Sequence, residues 1–224
     1  MEKITFPTAL GPGAGSLACP TVERAPAVLV VHEWWGLNAD IEGLAERLAA
    51  EGFVALAVDL YGGRSTTEGA VAMQLAQELR SADAMAHLAG AAAWLRADPR
   101  TNGKVGITGF CLGGAMALAA AFQVPGLGAA VPFYGNPRGE LVDFAAKTPP
   151  IQGHYAAVDG FVDVERTRTI AEGVRAAGGV MELHVYPPPA GHAFMRASDP
   201  AVYHAASAAL AWGRAVAFLR QHLG

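Results

Sequence analysis

A doubly wound, mostly parallel α/β sheet with helices on both faces is the fold this sequence predicts, on three observations. Apolar runs rich in β-branched residues alternate with segments of helical periodicity from about residue 27 onward. Those runs are apolar at successive positions, the mark of strands covered on both faces. One of them ends in a glycine-flanked turn that opens directly into a helix-forming segment. Hydrophobic residues make up 52% of the 224, ample for a sheet buried on two sides. That length suits one α/β domain over residues 1–224.

The elements follow in order. Residues 11–15, Gly-Pro-Gly-Ala-Gly, read as a hairpin turn, since their spacing is wrong for a dinucleotide loop and no helix follows. Residues 27–31 form the first strand. Ile41, Leu44, Ala45, Leu48 and Ala49 then repeat at helical spacing, with Glu51-Gly52 as the stop. After a strand at 53–58 come two helices, one presenting Val71, Leu75 and Leu79, the other Met85, Leu88, Ala92 and Leu95. Asp98-Pro99 ends that stretch. A strand at 105–108 leads through the turn to a helix over 115–121. Strands at 129–134 and 151–155, a helix at about 163–177 and an alternating strand at 181–186 follow. The last helix spans 205–219, with Leu210, Trp212, Val216 and Phe218 among its alanines. There is no internal repeat and no long linker.

The chemistry centres on Gly109-Phe110-Cys111-Leu112-Gly113-Gly114. Strand, sharp turn and helix are the context of a nucleophile elbow, where small flanking residues let strand and helix approach and the central side chain stands above the sheet. A thiol at that position points to acyl transfer through a thiolate and a thioester. The partners lie in the order expected of an α/β-hydrolase fold, nucleophile then acid then histidine. Asp159 follows the 151–155 strand, and His192 closes the rigid loop Pro187-Pro188-Pro189-Ala190-Gly191 after the 181–186 strand. The imidazole would take the thiol proton and the aspartate would hold its tautomer.

Taken together with further blocks of the sequence, the elbow and its partners make the chain resemble the dienelactone hydrolases. The resemblance is carried by His32-Glu33-Trp34-Trp35-Gly36-Leu37-Asn38, Asp59-Leu60-Tyr61, the elbow, Asp159, and Gly191-His192-Ala193-Phe194-Met195-Arg196. It implies a Cys111-His192-Asp159 triad that hydrolyses an activated ester or lactone without a cofactor. It also implies that Glu33 switches the thiol to thiolate and that the backbone amides of Trp34 and Leu112 form an oxyanion hole. A carboxylate near a thiol disfavours the thiolate, so the resting sulfur would be protected from oxidation. Arg196 matches an arginine that, in the family, pairs with a substrate carboxylate or with the activating glutamate. The family's second arginine would fall on the helix around 68–74, where this chain has none, and the aromatic residues of that helix are replaced by Met73 and Ala76. Arg64, just before the helix, is the candidate substitute.

Other features read as ordinary. His32-Glu33 begins like a zinc-protease motif, but Gly36 occupies the second histidine's place, so no metal is expected. His87, His204 and His222 read as surface or satisfied core residues on helices, His154 and His184 as strand packing, and Cys19 as a small buried or edge residue. Two cysteines imply no disulfide framework. A formal net charge of −4 gives no reason to expect nucleic acid or an anionic membrane as partner. The first residues lack the pattern of a signal peptide, and no apolar run approaches a bilayer span. A cytoplasmic enzyme with a small-molecule substrate is expected, a monomer with a dimer as the alternative. A thioesterase or acyltransferase using the same triad is the enzyme alternative, and a non-catalytic binder is the alternative of another class.

Overall fold

The runs that are apolar throughout become the middle of the sheet. The computed structural model describes residues 1–224. Its eight strands are β1 (Glu2–Thr8), β2 (Gly11–Ala18), β3 (Ala25–Val31), β4 (Val54–Asp59), β5 (Thr101–Phe110), β6 (Leu127–Phe133), β7 (Ile151–Ala156) and β8 (Met181–Tyr186). They lie side by side in the order β1-β2-β4-β3-β5-β6-β7-β8. Every pairing from β4 to β8 is parallel, whereas β1 with β2 and β2 with β4 are antiparallel.

The helices are α1 (Ala39–Ala50), α2 (Gly69–Glu78), α3 (Ser81–Ala97), α4 (Leu112–Gln123), α5 (Val164–Ala176) and α6 (Ala205–Leu223). Strand alternation divides the core. Val28 and Val30 of β3 face a cluster completed by α1 and α6, while Leu29 and Val31 face one completed by α3, α4 and α5. Caps set the starts. Asn38 Oδ1 accepts the Ile41 N–H at 3.3 Å ahead of α1, and Asp163 caps α5 through the Glu165 N–H. No helix is long and apolar enough to cross a membrane.

The structure corrects two expectations. Residues 11–15 are not a turn but the first part of β2, and the chain reverses at Ala9-Leu10. The glycines serve packing. A Cβ on Gly13 would strike the Phe6 ring, and one on Gly15 would strike the Ala57 carbonyl. Cys19 is exposed just past the end of β2, not buried.

Register then decides what meets at the carboxyl edge of the parallel strands, where the ligand sites of such sheets form. Val31 is level with Gly109, and Phe110 with Phe133. The elbow therefore leaves the sheet with Glu33 on one side and Tyr134 on the other. Ala156 is level with Tyr186, which brings the loop bearing Asp159 against the one bearing His192.

Candidate active site

The elbow is built by close approach. Cys111 holds φ +54° and ψ −114°, a conformation rare for any residue with a side chain. Its N–H donates to the Phe133 carbonyl at 3.1 Å. A Cβ on Gly109 would collide with the Gly113 backbone, and one on Gly113 with the Val31 carbonyl, so the turn closes only with glycine there. Three non-glycine residues have positive φ, namely Cys111, Tyr134 (+35°) and Ala193 (+60°), and all three line the same cleft. Backbone strain is concentrated at the site.

His192 Nδ1 donates to Asp159, 2.9 Å from Oδ2 and 3.1 Å from Oδ1. Asp159 Oδ1 also accepts the N–H groups of Phe161 and Val162 at 2.8 and 3.1 Å. Burial opposes the carboxylate, but the imidazole and these two amides outweigh it and hold Asp159 below its ordinary range. Burial likewise opposes protonation of His192, yet the bonds to Asp159 and to the Cys111 side chain push it up to about 9. With Nδ1 committed to Asp159, Nε2 is left for the sulfur. The ring is held between Tyr134 and Phe161, with centroids 5.3 and 4.8 Å away.

Glu33 is nearly inaccessible, at 6% exposure, and turns toward Arg196 rather than the thiol. Its Oε2 accepts from Arg196 Nη1 at 3.2 Å, while Arg196 Nη2 donates to Asp199 at 2.9 Å. Of the two partners expected for Arg196, the resting structure thus has the glutamate. Burial pushes the Glu33 carboxyl above its ordinary range against the pull of Arg196 and His192. His32 and Asp59 hold the loop that carries Glu33. His32 Nε2 accepts the Leu60 N–H at 3.2 Å, which leaves Nδ1–H to donate to the Glu33 carbonyl at 2.6 Å. Asp59 accepts the N–H groups of Tyr61 and Gly63. Both His32 ring nitrogens are thereby engaged by backbone.

Glu33, Cys111, His192 and Arg196 share a cleft of about 530 Å³ with Trp34, Leu112 and Phe161. Helix α2 contributes only Ala76. Arg64 does not replace the missing arginine, because it bonds Glu78 at 2.8 Å and the Tyr61 carbonyl at 3.2 Å, away from the cleft. Arg166, in the first turn of α5, lines the cleft instead. It donates to the Pro137 carbonyl and makes no ion pair, unlike Arg196. Asn136 fixes that turn by donating to the Asp163 carbonyl at 2.8 Å and accepting from Thr167 at 2.9 Å. Sequence reasoning missed Arg166. Its signal was a cation one turn into the helix that follows the Asp159 loop, whose amino end must lie at the carboxyl edge of the sheet.

The remaining histidines stay outside the cleft. His154 is fully buried, stacked on Phe133 and bonded to Tyr186 and Gln152, and half-buried His184 stacks on it in turn. His204 bonds Ser207, and His222 packs on Phe218. His87 is not satisfied as expected, since its Nδ1 is buried without a partner.

The profile of the dienelactone hydrolase family matches residues 14–223. The chain belongs to the dienelactone hydrolase family. It is a carboxylic ester hydrolase of the α/β-hydrolase fold. A Yersinia pestis protein described as a candidate carboxymethylenebutenolidase is 33% identical over 211 residues, covering 88% of this chain and 78% of that one. Protein usf of Aquifex pyrophilus is 34% identical over 206 residues, 88% of this chain and 89% of that one. Among solved structures, a candidate dienelactone hydrolase from Klebsiella pneumoniae superposes with a TM-score of 0.87 at 29% identity over 98% of both chains. A dienelactone hydrolase-like promiscuous phosphotriesterase from metagenomic libraries superposes at 0.88 with 24% identity, covering 100% of this chain and 98% of that one, a likeness of fold. As a family member the chain takes a small-molecule substrate.

Proposed function

We propose that this family member hydrolyses small activated esters, lactones foremost, through a Cys111 thiolate and a thioester. The observation that supports this best is the Cys111-His192-Asp159 constellation at a strained elbow inside the cleft. The upward push on His192 from Asp159 and from the charged sulfur marks it as the imidazolium partner of the thiolate. The acceptor left in the cleft is Glu33, once substrate draws it from Arg196. The thiolate attacks the carbonyl carbon, and the amides of Trp34 and Leu112 receive the oxyanion. Leu112 opens α4, so its N–H has no acceptor within the helix. The carbon–oxygen bond breaks as imidazolium protonates the leaving oxygen. Water then attacks the thioester, giving its proton to His192, and the intermediate expels the thiolate and releases the acid. Glu33 returns the proton to sulfur. One chain supplies every group, which supports action as a monomer, and a free thiol nucleophile suits the reducing cytoplasm.

The test is selectivity. A thiolate leaves more readily than an alkoxide, so the intermediate reverts unless the leaving group is good. p-Nitrophenyl acetate, enol lactones and thioesters should turn over, with an acyl group on Cys111 seen by mass spectrometry after acid quench, while ethyl esters and amides stay at background. Efficient ethyl ester cleavage or an unmodified Cys111 contradicts the reading.

Arg166 extends it. An unpaired guanidinium over an apolar cleft suits a substrate with a second, anionic group. Arg166→Ala should raise KM for mono-p-nitrophenyl succinate about tenfold, the scale of a lost charge-assisted hydrogen bond, and leave p-nitrophenyl acetate unaffected. Equal losses on both esters would make Arg166 a support for the loop it touches.

A further inference from the structure

Phe161 is the most exposed large apolar side chain of the protein, at 77%, and it lines the cleft. Its backbone is tied to the triad. The Phe161 N–H donates to Asp159 Oδ1 at 2.8 Å, and the Val162 N–H donates to the same oxygen at 3.1 Å. The ring is thus carried on a loop that the aspartate itself fixes, with its centroid 4.8 Å from that of His192. Asp159 uses only the amide, which any residue but proline supplies. The ring is therefore surplus to the triad, and its apolar surface gains by being covered when substrate arrives.

Proton transfer says which part of the substrate arrives there. His192 Nδ1 is committed to Asp159, so Nε2 is the atom that protonates the leaving oxygen. That oxygen must come within about 3 Å of Nε2, which sets the leaving alcohol beside the imidazole ring. Tyr134, on one side of the ring, is buried and closes that side. Phe161, on the other, is open to the cleft. The acyl group stays on Cys111 with its oxygen at the amides of Trp34 and Leu112. The alcohol half of the ester is the half that meets Phe161.

We infer that Phe161 is a specificity residue for the leaving group, and that among activated esters the enzyme favours those of aromatic alcohols. This rests on the reading of His192 as the acid that protonates the leaving oxygen. A flat aromatic alcohol gains a ring-to-ring contact with Phe161 on top of apolar burial. Val162, next on the loop, adds an aliphatic wall. Aromatic alcohols are also acidic enough for a thiolate-derived intermediate to expel, so binding and chemistry select the same substrates.

Two acetate esters test this. 2-Naphthyl acetate and hexafluoroisopropyl acetate deliver the same acetyl group and release alcohols of similar acidity, the first flat and aromatic, the second neither. Phe161→Ala should lower kcat/KM for the naphthyl ester about fivefold and change the other by less than about twofold, the scale of one aromatic pair. Phe161→Tyr keeps the ring and should keep the wild-type preference. Hydrolysis of acetyl-Cys111 takes place after the alcohol has left, so its single-turnover rate should be the same in Phe161→Ala and wild type. 2-Naphthol, followed by its fluorescence, should bind Cys111→Ala about fivefold more tightly than it binds the double variant with Phe161→Ala. Equal losses on both esters, or slower hydrolysis of the acetyl-enzyme, would make Phe161 a support for His192 and overturn the inference. So would 2-naphthol binding that is indifferent to Phe161. Wild-type protein that forms no acetyl-enzyme would overturn the proposed function instead, and 2-naphthol binding would still be read independently.

Discussion

Cys111→Ala leaves ester turnover at background, a loss on the order of 10⁴-fold or more, the scale on which removal of a triad member is felt. The expectation follows from the elbow. Cys111 is the one sulfur nucleophile in the cleft, held by a backbone that packing glycines close around it. Cys19 is exposed beyond β2 and outside that cavity, so Cys19→Ala should keep full activity. Iodoacetamide should inactivate wild type and Cys19→Ala alike by modifying Cys111, and substrate should protect. Turnover by Cys111→Ala above background, with the fold intact by circular dichroism, would remove the thioester pathway from consideration.

Glu33→Gln should change two rates in opposite directions. Turnover of p-nitrophenyl acetate should fall by about 10²-fold, the scale of a lost general base. Alkylation of the free enzyme by iodoacetamide near neutral pH should quicken. The wild-type pair of Glu33 and Arg196 is neutral as a unit, and the variant leaves the Arg196 charge in the cleft countered only by Asp199. The cleft thereby loses one negative charge, which favours the thiolate. Simple misfolding would slow both processes, and a spectator glutamate would alter neither. Measuring alkylation and kcat side by side for wild type and Glu33→Gln separates the three cases.

The parallel body of the fold was legible because its central strands have no solvent face. Residues 27–31 and 53–58 are apolar at successive positions, and the structure buries every residue of β4. The antiparallel β1–β2 hairpin was not legible. Its second strand begins Gly-Pro-Gly-Ala-Gly, a composition that local propensity assigns to a turn, and only the Phe6 ring and the β4 backbone pressing on it explain why side chains are excluded there. The same division holds at the site. Cys111, Asp159 and His192 could be named because elbow, order and loop placement are properties of the chain itself. That His32 is held by the Leu60 N–H depends on a group 28 residues away, which no local pattern encodes. Arg166 depends on which face of α5 points inward. Arg64 was the nearer candidate in sequence, and its bonds to Glu78 and the Tyr61 carbonyl lead it elsewhere.

The three left-handed, non-glycine residues around the cleft have a consequence for how this protein can change. Each such conformation costs on the order of 1–3 kcal/mol, and a domain's whole margin is about 5–15 kcal/mol. Cys111, Tyr134 and Ala193 therefore claim a sizeable fraction of what the rest of the fold supplies. The strained residues lie on the loops that leave β5, β6 and β8, three strands held in one parallel sheet. Substitutions far off, in the helices that back the sheet, are thus felt first as a loosened cleft.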